Sequence, residues 1–188
     1  MHIKPLGPDP QLADDTIRLE PLTQDDVPAM FGLVGDEEVL RFTRVPAGAD
    51  LDFVRLWIAR YESGWQDGTR AGFAVRDASG GHGGGGGLLG FAAAVELDLD
   101  TREAELGYMV VPAARGRGVA LRSLDLLTRW CFDALGLIRL ELRIDPANAP
   151  SLRIAERAGY VQEGVLRNTY VKDGVRADVA VWSRLTSD

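Results

Sequence analysis

The chain has 188 residues, with Lys and Arg totalling 21 against 28 Asp and Glu, a formal net charge of −7. That length suits one domain, and the acidic balance argues against a nucleic-acid coat or an anionic-membrane binder, both of which need a dominant cationic face. With a single cysteine, Cys131, and histidines only in the amino-terminal tail (His2) and a glycine run (His82), no disulfide, no metal site and no histidine-based catalytic triad is expected.

Residues 1–15 read as a flexible lead-in, broken by Pro5, Pro8 and Pro10 and lacking the apolar core of a signal peptide, so the chain reads as cytoplasmic with one domain over 16–188. Thr16 to Glu20 alternates as a first strand. Thr23 with Asp26 signals a helix start ahead of Met30, Phe31 and Val34. A second helix is predicted from Leu51 to Gln66, with Trp57, Tyr61 and Trp65 on its apolar face, and Gly72 to Arg76 makes a short strand. The stretch from Ala78 to Val95 carries no formal charge but is interrupted by glycines and is no membrane span. No lysine and no helix start follow its Gly80–Gly87 run, which reads as a mobile, tolerated hairpin loop and not a phosphate cradle.

Leu88 to Leu97 and Arg102 to Val111 are predicted as longer antiparallel strands, followed by a helix from Gly118 to Leu135 that buries Cys131 as a small hydrophobe. Ile138 to Ile144 is a strand, a helix runs from Asn148 to the glycine stop at Ala158-Gly159, and two last strands flank the Asp173-Gly174 turn. The informative segment is Glu103 to Ala120: strand, proline-marked turn, arginine/glycine loop, helix. A helix start presents unpaired N–H groups and the positive end of the helix dipole. Gly116 and Gly118 clear side chains from those amides, and Arg115, Arg117 and Arg122 add three cations with no acid between Pro112 and Leu124. In an acidic chain this local reversal of sign points to an anion site.

Arg115-x-x-Gly118-x-Ala120 resembles the Gln/Arg-x-x-Gly-x-Gly/Ala pattern of the GNAT superfamily of acyl-CoA-dependent N-acyltransferases. Ala104 to Tyr108 is similar to that family's fourth strand, and Asn148-x-x-Ser151 with Ala158-Gly159-Tyr160 is similar to its RimJ/RimL-type branch. The resemblance implies an α/β (α+β) domain: a strongly twisted mixed sheet of about seven strands, flanked by helices and splayed into a V at strands 4 and 5. It implies acetyl-CoA as cosubstrate, its pantetheine arm along Met109, Val110 and Val111 and its pyrophosphate on the amides of Arg115, Gly116, Arg117, Gly118, Val119 and Ala120. Asn148 would hydrogen-bond the same arm.

The implied reaction is acetyl transfer to a primary amine, either a peptide or protein N-terminus or a small amine. The amine must be neutral to attack, and a base matters more for a lysine-like amine of pKa ~10.4 than for a chain terminus near ~7.7–8.0. The family motif places that base at Glu105, with a backbone N–H near Val110 or Val111 polarising the acyl carbonyl. Glu103, two residues earlier, reads as a plain surface carboxylate. Where relatives carry an acid tyrosine this chain has Ala155, leaving Ser151 either as the proton donor to the thiolate or as a helix cap. Tyr108 falls on the opposite strand face from Glu105 and reads as core, whereas Tyr170 and Asp178 are candidate acceptor contacts. A non-catalytic acyl-CoA-binding module and a transferase for another donor such as succinyl-CoA are the alternatives, and pairing of edge strands would give a homodimer.

Overall fold

The computed structural model describes residues 6, 10, 12–80 and 87–188. Most of the lead-in and positions 81–86 of the glycine run lie outside the described residues. The strands are β1 (Leu12–Ala13), β2 (Ile17–Pro21), β3 (Ala71–Asp77), β4 (Leu88–Asp98), β5 (Glu103–Val110), β6 (Arg139–Ile144), β7 (Val161–Lys172) and β8 (Val175–Leu185). The helices are α1 (Val27–Val34), α2 (Glu37–Phe42), α3 (Leu51–Asp67), α4 (Val119–Asp133) and α5 (Ala149–Arg157), with short 3-10 turns at Gln24–Asp26 and Pro112–Ala114.

Among the described residues all eight strands form one sheet, in the order β1-β2-β3-β4-β5-β6-β8-β7. Every neighbouring pair is antiparallel except β5 and β6. The count exceeds the expected seven because Leu12–Ala13, inside the stretch expected to lack regular structure, pairs with Leu19 and Arg18. Alternation along each strand divides the core between two faces. Phe73, Val75, Ala104 and Leu106 face α4, whose Leu124, Leu127, Trp130 and Cys131 are buried against them. Ala74, Phe91, Ala93 and Met109 face the other way, onto Met30, Leu33, Val54, Ile58 and Tyr61 of α1 and α3. Cys131 is fully buried and burial pushes its thiol up, which fits an inert core residue.

The helix ends explain themselves. Asp50 caps α3 by accepting from the Phe53 N–H at 2.8 Å, and Gly68, with φ 72°, closes it in the left-handed conformation. α2 was not anticipated; Asp36 caps it through the N–H groups of Glu38 and Val39, both at 3.2 Å. A buried ion pair of Arg76 with Asp26 ties the first helical segment to β3. Among the described residues no helix is long and apolar enough to cross a membrane.

Candidate active site

The parallel pair is short. β5 and β6 are joined at Glu103–Arg139, Ala104–Leu140 and Glu105–Glu141, after which each strand runs on without the other. A cavity of about 1050 Å³ opens where they part, lined by β5, β6, the α4 start and the α5 start, with α2, α3 and the β7–β8 hairpin closing its far side. The free edge of β5 faces this space. Val111 N–H bonds to Leu89 O on the β4 side at 3.0 Å, so strand alternation turns the Val110 N–H to the free edge. Of the two amides considered from sequence, Val110 is the available one.

At one end of the cavity lies the turn into α4. Gly116 and Gly118 have φ of 74° and 80°, a conformation that L side chains rarely adopt, and a Cβ on Gly116 would project into open space. Gly118 is the N-cap of α4 and supplies no side chain, so the first-turn amides of Val119 and Ala120 have no side-chain acceptor from the cap. Arg115, Gly116, Gly118, Val119 and Ala120 line the cavity with Met109 and Val110; Val111 and Arg117 do not. The turn is less cationic than its sequence suggests. Arg115 is ion-paired with Asp36 and, at 3.1 Å, with Glu38, while Arg122 meets Asp14 at 3.0 Å and Asp15 at 3.5 Å. Two of the three cations are therefore matched by carboxylates distant in sequence, and what remains for an anion is chiefly main chain and helix dipole.

Glu105 lies where β5 leaves β6. Its side chain is 15% exposed, and Oε2 is buried without a hydrogen-bond partner. Two guanidinium groups flank it, Arg44 at 3.5 Å and Arg143 at 3.6 Å. Burial pushes its carboxyl above the usual carboxylate range; Arg44 and Arg143 pull it down, and Glu96 and Glu141 push it up again. A perturbed carboxylate in a cleft marks a candidate functional group. Glu103, by contrast, is exposed and accepts from the Thr101 hydroxyl.

Across the parting, Asn148 caps α5 by accepting from the Ser151 N–H at 3.2 Å, and both residues line the cavity. The cap is thus Asn148, which leaves the Ser151 hydroxyl uncommitted to that task. Ala155, one turn on, is fully buried. Tyr108 was expected in the core and does pack against it, yet it also lines the cavity. Its hydroxyl is buried, lacks a well-formed hydrogen bond, and lies beside Ser151; burial pushes it up to about 12, with Ser151 opposing. Alternation alone could not show this, because Tyr108 sits on the core face beyond the point where β5 and β6 part and the cavity opens.

An aromatic wall forms the remaining side. Trp57 and Phe91 have centroids 5.0 Å apart, Tyr61 and Phe91 5.3 Å, and Phe53 and Trp57 6.4 Å. Trp57 and Tyr61 therefore border the cavity, whereas Trp65 stacks on Trp130 in the α4-side core. Tyr170 and Asp178 reach the cavity from the hairpin. Sequence reading missed Arg44 and Arg143, whose relation to Glu105 exists only once α2, β5 and β6 are assembled.

These elements define a mixed α/β protein with a ligand cleft between splayed strands, bounded by a glycine turn at one end and a buried carboxylate at the other. The chain belongs to the acetyltransferase (GNAT) domain family, which matches residues 16–161. It is 28% identical over 176 residues to the uncharacterized N-acetyltransferase YoaA of Bacillus subtilis (strain 168), covering 93% of this chain and 96% of that one. In fold it is similar to RimL, a ribosomal L7/L12 alpha-N-protein acetyltransferase (TM-score 0.81, 18% identity, 94% of each chain). It is likewise similar to the spermidine N-acetyltransferase of Vibrio cholerae solved with CoA and spermine (TM-score 0.79, 21% identity, 93% of this chain and 98% of that one).

Proposed function

We propose that the protein moves an acetyl group from acetyl-CoA to a primary amine by direct attack. The observation that carries this reading is Glu105: a buried carboxylate whose Oε2 accepts no hydrogen bond and is flanked by Arg44 and Arg143, at the parting of β5 and β6, in the same cavity as the glycine turn. The cavity fits the cosubstrate on its own terms. Gly116 leaves room where any side chain would project, and the free edge of β5 offers main-chain groups to an extended arm. Acetyl-CoA, when bound, supplies the activated acetyl group.

The rest is work for this chain's residues. The amides of Gly116, Gly118, Val119 and Ala120, with the α4 dipole, hold the diphosphate. The Val110 N–H polarises the acyl carbonyl. Glu105 Oε2 takes the proton from the incoming amine, its raised pKa bringing it nearer neutral pH, where a base works best. Asn148 Nδ2 remains a donor toward the pantetheine arm while its Oδ1 caps α5. Ser151 Oγ is the hydroxyl placed to hydrogen-bond the departing sulfur, with Tyr108 beside it. The acceptor enters along the aromatic wall and the hairpin residues Tyr170 and Asp178. A homodimer is the assembly we favour, because β7 ends the sheet and exposes Val161, Val165, Leu166 and Val171. Thiol release from acetyl-CoA, screened over peptides, polyamines and aminoglycosides, tests the proposal: release with at least one class is expected, and tight CoA binding with no release by any amine would contradict it.

A further inference from the structure

Arg70 is built into the acceptor side of the cleft with unusual care. Its main chain folds back on the end of α3, where the Gly64 carbonyl accepts from Thr69 N–H at 2.9 Å and from Arg70 N–H at 3.4 Å. Its side-chain stem lies across α3 at Gly64: a Cβ there would fall on Arg70 Cγ and come within 2.8 Å of its Cδ. A glycine inside a helix is less favourable than alanine, and here that glycine clears the path of one arginine. Gly72 does the same for the neighbouring ring, since a Cβ there would stand 2.7 Å from Tyr61 Cγ. The guanidinium ends 5.9 Å from the centre of the Tyr61 ring and lines the cavity.

That guanidinium has no carboxylate within ion-pair distance among the described residues, although carboxylates surround the cleft. Glu38 is paired with Arg115, Glu105 with Arg44 and Arg143, and Glu96 with Arg44. A half-buried cation without a counter-ion is an unfilled demand for an anion. Arg70, Tyr61 and Glu105 line the same cavity. Burial pushes the Tyr61 hydroxyl up to about 12, with Arg70 opposing the rise and Glu105 adding to it.

We infer that the acceptor is a primary amine that also carries a carboxylate, held by Arg70 across Tyr61 while the amine meets Glu105. The chemistry fits a free amino acid or a peptide with an acidic residue at its amino-terminal end. A polyamine could meet Glu96, Glu105 and Asp178 in the same cleft but would leave Arg70 without an anion, which makes it the contrasting acceptor. This inference rests on the transferase reading.

The test compares acceptors matched except for one carboxylate: the tripeptide amides Ser-Glu-Ala and Ser-Gln-Ala, free serine and serinamide, and spermidine. Thiol release should favour the acidic member of at least one pair by about tenfold or more in kcat/KM, the size of one charge-assisted contact. Which pair shows it distinguishes peptide from amino acid. Arg70→Gln should reduce that preference to within about twofold, acting mainly on KM, and Arg70→Lys should keep part of it. Equal kcat/KM within both pairs, or a preference for spermidine, would overturn the inference and leave the transferase reading standing. Calorimetry on the CoA-loaded protein separates the converse case: tighter binding of the acidic peptide with no thiol release would uphold Arg70 and overturn the transferase.

Discussion

Glu105→Gln keeps the shape of the side chain and removes its basicity, and the structure sets opposite expectations for rate and stability. A positioned general base contributes ~10²–10⁴ in rate, which is about 2.7–5.4 kcal/mol of activation free energy. Folding should barely register the change. The ion pairs lost are with Arg44, 56% exposed, and Arg143, 40% exposed, and pairs of that exposure contribute ~0–1 kcal/mol each. Arg143 also keeps its bond to Glu141 at 2.7 Å, and the variant no longer buries a charge that burial disfavours. A net change within about 1 kcal/mol would move Tm by roughly 2–4 °C for a chain this size. Thiol release followed against pH gives the sharper reading. In the native protein kcat/KM should rise as Glu105 loses its proton, above the usual carboxylate range, and Glu105→Gln should lose that limb together with at least about 100-fold in rate. Turnover within twofold of the native protein at every pH would remove Glu105 from the mechanism.

Two further outcomes concern stability. The carboxyl of Glu163 is held down to about 2 by Arg139 and the Ser183 hydroxyl, so its folded pKa lies below its unfolded one and its contribution is complete above the unfolded value and lost as pH falls toward 2. The gap in urea midpoint between the native protein and Glu163→Gln should therefore close between about pH 5 and pH 2; a gap independent of pH would contradict that pairing. Thr128 and Tyr160 share a buried hydroxyl–hydroxyl bond of 2.8 Å joining α4 to the end of α5. Tyr160→Phe leaves the threonine hydroxyl unpartnered and should cost about 1–3 kcal/mol, read as a fall in Tm by calorimetry, and an unchanged Tm would show that the bond contributes nothing.

What could be read in the sequence was local. Period-2 and helical patterning located most of the elements, and the strand–turn–helix from Glu103 to Ala120 announced itself through Gly116 and Gly118, because the φ they adopt favours glycine. Short elements escaped. α2 has six residues, too few for periodicity, although Asp36 followed by Glu37 and Glu38 is a start signal that could have revealed it. Electrostatics escaped for a different reason. The arginines of the turn looked free because their carboxylates, Asp36 and Asp14, lie 79 and 108 residues away in the chain. The same distance in sequence hid the placing of Arg44 and Arg143 beside Glu105, and the role of Tyr108, whose exposure depends on where β6 turns aside. Glycines that serve a neighbour, as Gly64 serves Arg70, carry no motif and are visible only in three dimensions.

Cosubstrate binding rests on the turn between Val111 and Ala120. Crystals of the full chain grown with coenzyme A test it directly. The diphosphate should lie on the main-chain nitrogens of Gly116 to Ala120, with the pantetheine arm running beside Val110 toward Glu105. Density for the nucleotide at any other place, with that turn left bare, would contradict it.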